Sequence, residues 1–281
     1  EISACLVGSE MCIRDSFIIN NLTIGYITCQ IGYIRMPGKL LFLLFLLLCH
    51  KGGSYLKLIE EVNNLPIFVV LCHNMTQYFT SDFHFQHEDV AQSRGFNNRK
   101  EHDQTIIENI KQTILPGDTL WIMGDITYYD NPHYYQVHEN LQDFLKRQFQ
   151  NTITTRFIIG NHEYFHPIRP NSTKHLTDFL KDSTYDYVSL FDEISLHING
   201  EDTPVMISHF CYSGDDPFRY NKFKQYRLRD YGLPIIHGET HSREKLSFSD
   251  DGTVQVCIGP GAWNMNLVSE DEIIDIIENN S

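Results

Sequence analysis

Apolar and polar positions fall into two regimes across residues 75–281. In the first, short apolar runs alternate with helical spacings. The run "TQYFTS" (76–81) predicts a strand. Residues 102–114 place Ile106, Ile107, Ile110 and Ile114 on one helical face. A Pro-Gly-Asp turn (116–118) precedes "TLWIMG" (119–124), a short β-prone run that predicts a buried strand. Residues 135–149 return to helical spacing, with Val137, Leu141, Phe144, Leu145 and Phe149. "TTRFIIG" (154–160) predicts a third strand, and residues 172–182 a helix with Ser172 as its N-cap. After residue 184 the regime changes. "YDYVSLF", "EISLHI", "PVMISHF", "LPIIHG", "KLSFS" and "TVQVCIG" predict strands separated by turns. A helix over 269–277 follows, with an acidic first turn that suits its dipole. Strand–helix alternation followed by a series of strands predicts an α/β fold of two packed sheets with helices outside.

Polar residues gather where these strands end. Asp82 and His84 follow the first, Asp125 the second, and Asn161, His162 and Glu163 the third; His209, Glu239 and His241 follow later ones. Sites in open α/β sheets lie beyond the carboxyl ends of strands, so residues distant in sequence can meet there. The residue types suit two metal sites. Asp82 and His84, two apart, would project from one side of a strand and grip one ion. Asp125 has two oxygens and can bridge. Asn161 offers a carbonyl oxygen, and His209 and His241 offer imidazoles. Mixed nitrogen and oxygen ligation without thiolate suits Mn, Fe, Zn or Co. Gly124, Gly160 and Gly238 precede site residues, where a close backbone turn is useful. Each motif alone has a plainer reading. Asp-x-His is common in solvated turns, Asn161 could cap a helix with Glu163 in its first turn, and His209 could be a core histidine. Their order argues against coincidence.

That order, D-x-H, GD, GNHE, H and G-E-T-H, resembles the calcineurin-like metallophosphoesterases across nearly all of 75–281. "YFTSDFHFQHEDV", "SHFCYSGDD", "YGLPIIHGETH" and the tail from Val254 to Ile273 resemble a small bacterial and phage branch. The resemblance implies a four-layer α/β/β/α sandwich of two mixed sheets flanked by helices. It implies two divalent ions, Mn above all with Fe, Zn or Co as alternatives. Asp82, His84 and His241 would hold the first ion, Asp125 would bridge, and Asn161 and His209 would hold the second. The implied reaction is hydrolysis of a phosphodiester or phosphomonoester by a metal-activated hydroxide, with His162 as general acid. The substrate would be a small phosphoester or a nucleotide. The family pattern has G-H-x-H where this chain has Gly238-Glu239-Thr240-His241. Glu239 is then either a ligand through oxygen or a residue that turns away and leaves the second ion weakly held. The competing reading is a non-catalytic phosphate- or protein-binding module on the same fold. The intact His162 favours the enzyme.

Composition sharpens the rest. The net charge is −14, and residues 1–74 balance five basic against five acidic residues, so the whole excess lies in 75–281. An acidic body excludes the usual basic nucleic-acid surface. Only Cys211 and Cys257 fall in that body, which is no disulfide scaffold and fits a reducing, cytoplasmic setting. The segment 1–74 is expected to be a non-native extension. Residues 1–16 resemble translated sequencing-adapter DNA. The apolar run 38–49 is too short for a membrane span but matches a signal-peptide core. On the alternative, in which 36–49 is a signal or lipoprotein segment anchored at Cys49, the protein would be exported or lipid-anchored. Arg94 and Arg99 are weak candidates for clamping a substrate phosphate, and Tyr128, Tyr129, Tyr134 and Tyr135 for stacking on a base.

Overall fold

In a computed structural model, residues 75–214 and 223–280 are described with their side chains. For the first 74 residues, strand segments alone are described. The expectations on residues 1–16 and on the apolar run 38–49 therefore concern side chains outside the described residues. The chain forms two units, Glu1–Met75 and Thr76–Ser281. In the first unit a five-stranded sheet runs in the order Ile19–Ile24, Ile27–Met36, Lys39–Leu46, Leu65–Cys72 and Ser54–Val62.

The second unit holds two mixed sheets flanked by helices, an α/β fold. Its elements in chain order begin with β1 (Gln77–Thr80), α1 (Glu88–Ser93), α2 (Arg99–Thr113) and β2 (Thr119–Ile122). Next come α3 (Tyr134–Phe149), β3 (Thr154–Ile158), α4 (Ser172–Asp182) and β4 (Tyr187–Ser189). The strand-rich part follows with β5 (Phe191–Ile198), β6 (Glu201–Ser208), β7 (Ile235–His237), β8 (Leu246–Phe248) and β9 (Val254–Cys257). The unit closes with β10 (Val268–Ser269) and α5 (Glu270–Glu278). The first sheet has the order β4-β3-β2-β1-β10, parallel except where β10 runs antiparallel to β1. The second has the order β5-β6-β7-β9-β8, parallel at its centre and antiparallel at both edges.

The first sheet is apolar on both faces because both are covered. Along β2 and the residue after it, Leu120 and Ile122 face one core while Trp121 and Met123 face the other. The first core is filled by Ile106 and Ile110 of α2, Val137, Leu141 and Leu145 of α3, and Phe157 of β3. The second lies between the sheets, where Phe79, Trp121 and Ile158 meet Val205, Ile207, Ile236 and Val256. Each such side chain contributes about 1.5–3 kcal/mol by leaving water. Ile273 and Ile277 of α5 join this second core. Trp263 is buried there as well. Among the described residues, no helix is long and apolar enough to cross a membrane, and Cys211 and Cys257 are both buried.

Two local expectations are corrected, and one of the plainer alternative readings is set aside. Asp82 and His84 do not lie on a strand. The strand stops at Thr80, and both residues take the left-handed backbone region, with φ of 48° and 47°. The path still follows β2, because Asp82 N donates to Gly124 O and His84 N to Asp125 O, each at 3.0 Å. Ser172 is the first helical residue of α4, not its cap; Asn171 holds the cap position at φ 57°, a region that asparagine tolerates better than serine. "GNHE" starts no helix. It is a turn, and its Glu163 is fully buried.

Candidate metal centre

The chain reaches the centre by continuing the β1–β2 ladder past both strands until Phe85 bridges Thr127. Three loops then converge. Gly124 lies at φ +85°, and a Cβ on it would stand 2.5 Å from Gly160 Cα. A Cβ on Gly238 would stand 2.6 Å from Asp82 Oδ2. Glycine at these points lets the Asp125, Asn161 and Glu239 loops close on one another.

Two groups of donors result. Asp82, His84 and His241 form one; Asp82, Asp125 and His209 form the other. In the first, His84 Nε2 and His241 Nε2 are 3.0 Å apart, and they lie 3.9 and 3.7 Å from Asp82 Oδ1. Asp82 divides its oxygens. Oδ2 accepts from the Ser81 hydroxyl and, at 3.0 Å, from Glu239 N–H. Oδ1 is buried without a hydrogen-bond donor. In the second group His209 Nε2 lies 3.5 Å from Asp125 Oδ2 and 3.0 Å from Asn161 Oδ1. His209 is aimed by its other nitrogen, 2.7 Å from Met123 O. Asp125 Oδ2 stands between the groups, also 3.7 Å from His84 Nε2 and 3.9 Å from His162 Nε2.

The electrostatics suit cations. Burial pushes His84 and His241 below the ordinary imidazole range, so both present neutral nitrogens. Burial would raise Asp125, but His209, His162 and His84 outweigh it and hold the carboxyl well below its usual range. Burial would lower His209, but Asp125 drives it up to about 10. The protein alone thus places a proton on His209 beside Asp125. A divalent ion would satisfy the same carboxylate, along with the orphaned oxygen of Asp82. Nitrogen and oxygen donors without thiolate fit Mn, Fe, Zn or Co.

His162 is half-buried at the mouth. Its backbone N–H donates to Asp125 Oδ1 at 2.9 Å, and its Nδ1 accepts from Tyr129 N–H at 3.0 Å. A neutral His162 therefore carries its proton on Nε2, the nitrogen nearer Asp125. The Glu239 backbone is left-handed at φ 56°. Its N–H serves Asp82, and its carboxylate belongs to neither donor group.

Sequence reasoning missed the supports of this centre. The Glu163 carboxylate accepts from the N–H groups of Gly160 (2.6 Å), Asp125 (3.1 Å) and Ile126 (3.1 Å). Burial and the Asp125 charge push its carboxyl up to about 8, against the N–H donors. Arg169 donates twice to Asn161 O, at 3.1 and 2.6 Å, and lies 3.8 Å from the Tyr129 ring centre. Arg94, a weak candidate for a substrate clamp, braces the first motif. It donates to Asp82 O at 2.7 Å, to Phe83 O at 3.5 Å and to His102 Nε2 at 2.9 Å. His102 then meets Asp103, which accepts from Gln86 N–H. Arg99 is exposed and donates to Gln86 O. Tyr128 packs on His87, Tyr129 on Tyr164, Tyr134 is buried, and Tyr135 is exposed. The one sequence signal for Glu163 was its place directly after the Asn161-His162 pair. The arginines had none, since each acts on a backbone carbonyl.

Comparison with known proteins gives relatives and a family. The Gene 66 proteins of Mycobacterium phages L5 and D29 are 32% and 31% identical over 204 and 201 residues. Each alignment covers 71% of this chain, and 93% and 94% of the respective relatives. A crystal structure of a protein of unknown function from Aquifex aeolicus aligns over 73% of this chain and all of its own, at 20% identity and TM-score 0.46. A 5′-nucleotidase precursor from Thermus thermophilus aligns at 15% identity and TM-score 0.31, over 66% of this chain and 48% of its own. The sequence model of the calcineurin-like phosphoesterases matches residues 75–280. With that match spanning most of its length, the chain belongs to the calcineurin-like phosphoesterase family.

Proposed function

We propose that the protein is a metal-dependent hydrolase that cleaves a phosphodiester or phosphomonoester at this centre. Membership of the family supports phosphoester hydrolysis as the chemistry. The observation that carries the finer reading is Asp125 Oδ2, flanked by His84, His209 and His162 within 3.5–3.9 Å. Asp82, His84 and His241 would hold one divalent ion, and Asn161 and His209 the other, with Asp125 between them. Such ions supply Lewis-acid charge and lower the pKa of water. The chain's own groups do the remainder. Asp82 and Asp125 would offset positive charge. His162 stands at the mouth with Nε2 beside Asp125; as general acid it would give the Nε2 proton of its doubly protonated ring to the leaving oxygen, the ring ending neutral. In the resting neutral ring the Tyr129 N–H donates to Nδ1, so the one proton sits on Nε2.

The test uses the full chain with added Mn²⁺, bound metal counted per chain and an aryl phosphodiester as substrate. Two ions per chain and a 10²–10⁴-fold loss of turnover in His162→Ala are expected, the usual range for a general acid. Glu239→Gln is expected to keep both ions, because the carboxylate lies outside the donor groups. An inactive wild type holding no metal would sink the hydrolase and leave a binding module. Loss of one ion in Glu239→Gln would make Glu239 a ligand.

A further inference from the structure

One cavity adjoins the centre. About 490 Å³ in volume, it lies between the end of α1, the loop after β7 and the turn at 259–265. Ser93, Arg94, His241, Arg243 and Asn264 line it together with Gly259–Gly261 and Met265. His241 is the shared wall, since its ring also faces Asp82 Oδ1 at 3.7 Å. The lining carries two arginines and no carboxylate, in a chain whose net charge is −14. By contrast, the cavity between α2 and α3 is lined by Asp103 and Glu108 as well as Lys111.

The two arginines differ in kind. Arg94 is half-buried and fixed by its bonds to Asp82 O, Phe83 O and His102. It is a stationary positive charge in the wall. Arg243 is exposed, and its one recorded hydrogen bond is a long one, 3.5 Å to Ser93 O. Its planar fork can turn onto an anion at little cost, and that fork matches phosphate in two-point contact. The opposite wall is rigid. Met265 N–H donates to Pro260 O at 2.9 Å, and Asn109 donates to Met265 O at 2.7 Å. A fixed cation, a mobile cation and a braced wall, one imidazole away from the metal ligands, make a receptor for a second anionic group.

We propose that this cavity binds a second phosphate of the substrate, and that the substrate class is a small phosphoester bearing another phosphate besides the one cleaved. The proposal rests on the hydrolytic reading for the word substrate, and on the cavity alone for phosphate binding.

The full chain is tested in two ways. First, inorganic phosphate is titrated calorimetrically into protein kept in excess chelator. Binding weakened tenfold or more by Arg243→Ala, and partly recovered in Arg243→Lys, is expected. Phosphate binding that does not respond to Arg243 overturns the subsite. Second, with Mn²⁺, kcat/KM is compared for a nucleoside 3′,5′-bisphosphate and the matching monophosphate. The bisphosphate is expected to be preferred at least tenfold, through KM, and the preference to collapse in Arg243→Ala. An equal ratio in wild type and variant overturns the substrate class. If neither nucleotide is hydrolysed yet phosphate binding still depends on Arg243, the hydrolytic reading falls and the subsite stands.

Discussion

Glu163 shows at the scale of one residue how the centre is held. A buried carboxylate is costly unless it is well paired. This one takes three backbone N–H groups from the two loops that carry Asp125 and Asn161. Removing it would strand those donors, at about 1–3 kcal/mol for each left without water. Glu163→Ala is therefore expected to lower stability by about 3 kcal/mol or more, read from urea unfolding, and to reduce bound metal per chain. Glu163→Gln keeps the shape but turns an NH₂ toward N–H donors, so it should recover only part of either loss. A Glu163→Ala protein with full metal content and unchanged stability would contradict this role. The donor residues themselves were readable in the sequence, because Asp, His and Asn recur after apolar runs. Glu163, Arg94 and Arg169 were not, because their partners are main-chain atoms, and which carbonyl or amide lies near depends on the fold.

At the scale of elements, strands and helices were legible where the apolar period was strong. Ile106 and Ile110 on α2, and Val137, Leu141 and Leu145 on α3, are buried as their spacing implies. The connections were less so. Asp82, His84 and Gln86 all adopt positive φ, between 47° and 66°, without glycine. Local preference would not choose that conformation; the ladder to Gly124, Asp125 and Ile126 imposes it. The final helix is the opposite case, written locally. Ser269 accepts from Glu272 N–H, and the Glu272 carboxylate accepts from Ser269 N–H, a full capping box. Ser269→Ala should cost about 1 kcal/mol. Ile277→Ala, which opens the inter-sheet core, should cost about 2–5 kcal/mol. Urea midpoints in that order of severity are expected. A larger loss from the cap than from the core would mean that α5 is held by its end and not by its apolar face.

At the scale of the whole unit, buried histidines set the response to acid. His138 sits on the buried face of α3 among aromatic rings, His166 beside Phe210, and His237 ends β7 in the second sheet. Burial lowers them to about 3, 4 and 4 respectively. Below pH 6.5 the unfolded chain takes up protons that these native histidines refuse, so stability falls with falling pH down to those values. Between pH 7 and 5 each costs about 2 kcal/mol, roughly 5–6 kcal/mol together. Two groups act the other way. Glu163, raised to about 8 chiefly by burial, and His209, raised to about 10 by Asp125, hold protons in the native state that the unfolded chain lacks. Both return stability over the same interval, Glu163 the more, because its unfolded carboxyl titrates mainly below it. The histidines win. In chelator, the unfolding free energy should be lower at pH 5 than at pH 7, the more so because burial also lowers His84 and His241. Glu163→Gln removes the larger opposing contribution, so its own loss between the two pH values should be larger than the wild type's. A wild type more stable at pH 5 than at pH 7 would show that the carboxyl, not the buried imidazoles, governs the acid limb.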